Sequence, residues 1–158
     1  MLLLCLLAEA CSAVSDDDEV EERVTVGDQV PTFTVDMVAD GEVTTFSTHH
    51  LTGETVIVFF HTSCPDCQRE LPVLNDYYLQ HREEPGFQMV AISRAEGAET
   101  VAPFWEKHSL QMPYSAQEDR HIYDLFASSV IPRVYVVSAQ GIVTRVLIGS
   151  FHAALRTR

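Results

Sequence analysis

Basic residues are scarce in this sequence: ten Lys and Arg stand against 23 Asp and Glu, a formal net charge of −13. Nucleic-acid binding draws much of its affinity from phosphate neutralisation by Lys and Arg, so this balance argues against nucleic acid as a partner. Glycine and proline are few, 7 each, which leaves the composition of one globular domain with a short extension. There is no internal repeat and no sign of a second domain. Apolar runs are short as well. The opening stretch of residues 1–10, Met-Leu-Leu-Leu-Cys-Leu-Leu-Ala-Glu-Ala, falls far below the roughly 20 residues that cross a bilayer as a helix. It reads as a signal-peptide core, without the Lys or Arg that usually precedes one.

Cys11 ends that stretch after Ala8-Glu9-Ala10, which resembles the cleavage site of a bacterial lipoprotein with Cys11 as the lipidated residue. An ordinary cleaved signal with Cys11 incidental is the alternative. Asp16-Asp-Asp-Glu-Val-Glu-Glu22 follows, a like-charged run that repels itself and reads as a solvated tether. The expected organisation is therefore a leader and acidic tether over 1–25 and a folded domain over 26–158.

Within that domain, Val24–Val35 and Val43–Phe46 are rich in β-branched and aromatic residues, with Asp40-Gly41 between them as a hairpin signal. Thr55–Phe60, Thr-Val-Ile-Val-Phe-Phe, is a continuous apolar run of the kind buried on both faces of a sheet. Cys64–Gln80 carries Leu71, Leu74, Tyr77 and Tyr78 near helical spacing and is followed by Pro85-Gly86. Phe87–Ile92 reads as a second buried strand, Val101–His108 as a second helix, Pro113–Ala116 as a short extended piece and Arg120–Phe126 as a short helix. Val134–Val137 and Ile142–Ile148 close the chain as a hairpin around Ser138–Gly141. A βαβα half followed by a β-hairpin predicts an α/β fold, a mixed central sheet with helices on both faces and an N-terminal hairpin extension.

The chemistry concentrates in Cys64-Pro65-Asp66-Cys67. A Cys-x-x-Cys at the step from buried strand to helix puts the first sulfur near unpaired backbone N–H groups and the positive end of the helix dipole. Such a site favours the thiolate, the attacking species in disulfide exchange. A spacing of three puts Cys67 on the same face, able to close a disulfide with Cys64. Cys64 is thus read as attacking and Cys67 as resolving. Half a zinc site helped by His49, His50 and His61 is one alternative, a structural disulfide another. Gln68 after Cys67 lacks the His of a haem attachment motif.

The segment Val58-Phe-Phe-His-Thr-Ser-Cys64-Pro-Asp-Cys67-Gln-Arg-Glu70-Leu-Pro72 resembles the active-site segment of TlpA/ResA-type thioredoxin-like proteins, with their Cys-x-x-Cys-x-x-Glu-x-Pro pattern. Gly27-Asp28 with Pro31 and Phe33 is similar to that family's entry segment, and Ile131-Pro132 and Gln140-Gly141 to its later landmarks. The likeness spans Val26 to about Gly149. It implies a thioredoxin fold and thiol-disulfide oxidoreductase activity. It further implies Glu70 as an active-site acid exchanging protons with the buried thiol, and Pro132 as a cis-proline facing the cysteines. Ile131, through its backbone, and Ser63 and Pro65 beside Cys64 would then meet the substrate. No metal or cofactor is implied beyond the Cys64–Cys67 disulfide itself. The expected partners are an oxidised protein and an upstream thiol donor, with a lipid anchor to a membrane in the cell envelope and a monomeric chain.

The departures are informative. Ser63 stands where the family usually has Trp, and apolar Val58 where thioredoxins proper have a buried Asp. Asp66 adds negative charge beside the thiolate, opposing the helix-terminus effect. Pro72, by contrast, matches the family pattern and interrupts the helix hydrogen-bond ladder. Phe151–Arg158 begins the family's last helix but spans about two turns, leaving one sheet face thinly covered. Two other function classes are weighed. A peroxide-reducing relative would carry Pro and Thr at the positions of Ile57 and His61, and a binding module would use the scaffold without its chemistry.

Overall fold

The computed structural model describes residues 21–149 and Phe151; the leader, Cys11 and most of the acidic run lie outside them, as do residues 152–158. One seven-stranded sheet organises the chain. Its strands are β1 (Thr34–Ala39), β2 (Glu42–Ser47), β3 (Thr55–Phe60), β4 (Gln88–Ser93), β5 (Tyr114–Ser115), β6 (Arg133–Val137) and β7 (Val143–Ile148). The helices are α1 (Pro65–His81), α2 (Ala98–Lys107) and the single turn α3 (His121–Asp124). The strand order is β2-β1-β5-β4-β3-β6-β7. β3 pairs parallel with β4 and antiparallel with β6, so the sheet is mixed and β3 is central.

All six residues of β3 are buried, as the unbroken apolar run requires. Val56, Val58 and Phe60 pack with Leu71 and Leu74 of α1, Val101 and Trp105 of α2, and Phe151. Ile57 and Phe59 point the other way, into a cluster with Ile122 and Tyr123 of α3, Phe126, and Val24, Val30 and Phe33. Each fully buried side chain of this size contributes about 1.5–3 kcal/mol. The two clusters therefore clamp β3 from both sides. Among the described residues no helix is long and apolar enough to cross a membrane.

Asp40 and Gly41 both adopt positive φ, 51° and 80°, the geometry of a type I′ hairpin turn. The β1–β2 hairpin joins the main sheet through the pairing of Val38 with Tyr114. Three elements differ from the sequence reading. The stretch Val24–Val35 becomes strand only at Thr34, because Asp28 folds back onto the Thr25 N–H and hydroxyl at 2.8 and 2.9 Å and turns the chain. α2 begins at Ala98, one turn earlier than expected, since Ala98, Glu99 and Thr100 are exposed and leave no apolar period to read. Residues 21–25, read as the end of a solvated tether, are docked: Val24 is buried and Glu22 pairs with Arg133. The second face is covered by this segment and α3.

Candidate active site

Cys64 caps the start of α1. Its backbone is extended (φ −77°, ψ 118°) and its sulfur accepts a hydrogen bond from the Cys67 N–H at 3.4 Å. Pro65 follows at the first helical position, where a missing N–H costs nothing and the fixed φ suits the helix. The Cys64 N–H donates to the His61 carbonyl at 3.1 Å and the Gln68 N–H to the Cys64 carbonyl at 3.0 Å. A sulfur held against a helix N-terminus in this way is where negative charge is best tolerated. Cys64 is half-buried whereas Cys67 is fully buried, and both are free thiols in this structure. Burial, reinforced by a hydrogen bond with Cys64, pushes the Cys67 thiol up from its ordinary range.

The loop between β3 and α1 is gripped from the side. Glu96, only 8% exposed, accepts from the Thr62 N–H at 2.8 Å and from the Thr62 hydroxyl. Gln68 reaches back to the Thr62 carbonyl at 2.7 Å. His61 Nδ1 lies 2.9 Å from the Ser63 hydroxyl, accepts the Ser63 N–H at 3.2 Å and sits 3.6 Å from Glu96. Ser63 is exposed beside Cys64, so the site opens to solvent on that side. A cleft of about 590 Å³ next to this loop is lined by His61, Glu96, Gly97, Glu99, Thr100 and Glu118.

Across from α1, the Ile131–Pro132 peptide is cis. The Cys64 thiol donates to the Ile131 carbonyl at 3.8 Å. The cysteine pair and the Ile131-Pro132 loop, 67 residues apart in sequence, are thus neighbours. Glu70 lies three residues beyond Cys67 on α1 and is only 6% exposed, so its carboxylate is held inside the protein. One of its oxygens accepts the Phe151 N–H at 2.9 Å. Asp66 is exposed and paired with Arg69 one turn on, so its charge is partly offset locally. Arg94 supplies positive charge toward Cys67.

Ile57, one of the positions a peroxide-reducing site would fill, is fully buried on the opposite sheet face. Among the described residues no cluster of His, Cys, Asp and Glu could hold a metal ion. Glu96, Thr62 and Arg133 were not singled out from sequence. Glu96 had a usable signal: β3 and β4 are parallel neighbours, and loops at the carboxyl ends of such strands converge where open α/β sheets build their sites.

A dithiol capping the helix that leaves the central strand, opposite a cis-proline loop, defines a thioredoxin-fold thiol-disulfide oxidoreductase. Residues 26–146 match the AhpC/TSA family, and the chain belongs to it. Among curated proteins, the thiol-disulfide oxidoreductase ResA of Oceanobacillus iheyensis is 26% identical over 153 residues, covering 95% of this chain and 79% of that protein. ResA of Bacillus subtilis is 24% identical over 131 residues, covering 82% and 71%. Among solved structures, a thioredoxin-family thiol:disulfide interchange protein from Chlorobium tepidum superposes with a TM-score of 0.64 at 24% identity, over 79% of this chain and 88% of that one. StoA from Bacillus subtilis gives 0.62 at 20% identity, over 77% and 91%. Together these make the chain a TlpA/ResA-like thioredoxin-fold protein.

Proposed function

We propose that the chain reduces disulfides of exported proteins, with Cys64 as the attacking thiolate and Cys67 as the resolving thiol. The observation that carries this reading is the asymmetry of the pair: Cys64 is half-buried at the helix cap, Cys67 wholly buried behind it. The Cys64 thiolate attacks one sulfur of a client disulfide, forming a Cys64–client bond, and the other client sulfur leaves as a thiolate that takes up a proton. Cys67 then gives up its proton and attacks Cys64, releasing the second client thiolate and leaving a Cys64–Cys67 disulfide. A thiol donor returns the pair to the dithiol. The client is oxidant, the dithiol reductant, and two electrons pass per cycle. The disulfide is the only redox group the scheme requires.

Each neighbour has a part. The Ile131 backbone pairs with an extended client segment next to the Cys64 sulfur, with Pro132 shaping the loop, while Ser63 and Pro65 form the exposed floor. Glu70 takes the proton that Cys67 must release, acting from the same buried helix face. The apolar opening segment and Cys11 support export to the cell envelope and tethering by a lipid anchor, with the catalytic domain a monomer. Insulin reduction driven by dithiothreitol tests the activity. The wild type is expected to accelerate it and Cys64→Ser to lose that acceleration; equal turnover in the two refutes the reading.

A further inference from the structure

Arg133, immediately after Pro132, is fully buried. A guanidinium out of water is strongly unfavourable unless its donors are met. Here Nη1 donates to both carboxylate oxygens of Glu22 at 2.8 and 2.7 Å. Nε donates to the Ser129 and Val130 carbonyls at 3.0 and 2.9 Å, and Nη2 to Ser129 again at 2.8 Å. Glu22 lies 111 positions away in sequence, in the segment that precedes the first strand. That segment is stitched down beside it. The Arg23 N–H donates to the Phe126 carbonyl and the Ser128 N–H to the Glu21 carbonyl, both at 3.1 Å.

What Arg133 holds is a strained loop. Val130 has φ +69°, a left-handed conformation that is costly for a β-branched side chain and persists only where surroundings enforce it. Its carbonyl accepts from the Tyr123 hydroxyl as well as from Arg133, each at 2.9 Å. Val130 is 40% exposed and stands outside the two buried clusters. The next residue is Ile131, whose carbonyl stands 3.8 Å from the Cys64 sulfur.

We propose that Glu22 and Arg133 are positioning residues of the redox site: the docked N-terminal segment neutralises and orients Arg133, which locks Val130 left-handed and fixes Ile131 beside Cys64. This rests on the reading of Ile131 as the residue that pairs with the client. The stretch that leads out of the domain toward the proposed anchor is thereby part of the client-binding geometry. Glycine at position 130 would adopt the same φ without enforcement, so it should uncouple the loop from the brace.

The test compares Glu22→Gln and Arg133→Lys, each with and without Val130→Gly. It measures kcat/KM for insulin reduction, the rate of Cys64 alkylation by iodoacetamide, and hydrogen exchange over 128–131. Glu22→Gln should lower kcat/KM about tenfold, since small misplacements of reacting partners cost that much or more, while alkylation changes by less than about twofold. Arg133→Lys keeps the charge pair, and with it the fold, but loses the fork that reaches both carbonyls; it should show the same split. In the Val130→Gly background the Glu22→Gln penalty should shrink below about twofold. An equal penalty in both backgrounds, or equal loss of insulin reduction and alkylation, overturns the proposal. Unchanged exchange over 128–131 in both variants overturns it too, and independently of catalysis, whereas a wild type that reduces no insulin overturns the functional reading instead.

Discussion

Raising the pH through the range in which an unfolded thiol ionises should destabilise the reduced protein, and Cys67 sets by how much. Cys67 has no solvent exposure, and burial, then its hydrogen bond with Cys64, pushes its thiol up. An unfolded cysteine ionises near about 8.5. Above that pH the unfolded chain sheds a proton that the folded chain keeps, so the unfolded state binds fewer protons and stability falls as pH rises. The contribution is fully present below about 8.5 and is lost at about 1.4 kcal/mol per pH unit above it. Between pH 8.5, where the unfolded thiol is half ionised, and pH 10.5 this amounts to about 2.3 kcal/mol, a large part of the 5–15 kcal/mol typical of a domain. Urea unfolding of the reduced wild type and of Cys67→Ala, at steps of pH across that window, isolates the effect because all other titrating groups are shared. The wild type should lose stability relative to the variant with that slope. A difference independent of pH would show that the folded thiol ionises like an unfolded one, and would refute the reasoning.

Three other outcomes follow from the same geometry. Glu70→Ala should cost about 1–3 kcal/mol in urea unfolding, because the buried Phe151 N–H loses its acceptor; Glu70→Gln keeps an acceptor oxygen, so a slowed release of client in that variant reports the proton role alone. Glu96→Ala removes both acceptors of Thr62 and should destabilise by about 3 kcal/mol, at about 1.5 kcal/mol or more for each bond to a charged group, in the same assay. Asp66→Asn should change stability by less than about 1 kcal/mol, its pair with Arg69 being exposed. By removing negative charge beside the attacking sulfur it should also raise the Cys64–Cys67 reduction potential, read against a glutathione buffer, by up to about 30 mV.

The central strand, the long helix and the redox pair were legible because each has a strong local signature. Thr55–Phe60 is apolar at every position, and two-sided burial is the only way to use such a run. Asp40-Gly41 dictated its turn through the positive φ that the pair tolerates. The cysteines, being a motif at a strand-to-helix step, needed no long-range information. What escaped was long-range pairing of charge. Glu22 sits in an acidic run whose local physics favours solvation, and only the buried Arg133, far along the chain, converts it into a counter-ion. Glu96 likewise looks like a surface loop residue until Thr62 is brought beside it. Val130 gives no hint of a left-handed backbone, since valine avoids it. The placement of Ile131-Pro132 opposite Cys64 came from family likeness and not from any local pattern.

Trapping of the mixed disulfide tests the central claim most directly. Reduced Cys67→Ser and Cys64→Ser are each mixed with an oxidised client such as insulin, quenched in acid, and resolved without reductant. If Cys64 attacks and Cys67 resolves, Cys67→Ser should accumulate a covalent adduct through Cys64 that dithiothreitol releases, and Cys64→Ser should form none. Adduct formation through Cys67 in Cys64→Ser, or none in either variant, would contradict the account.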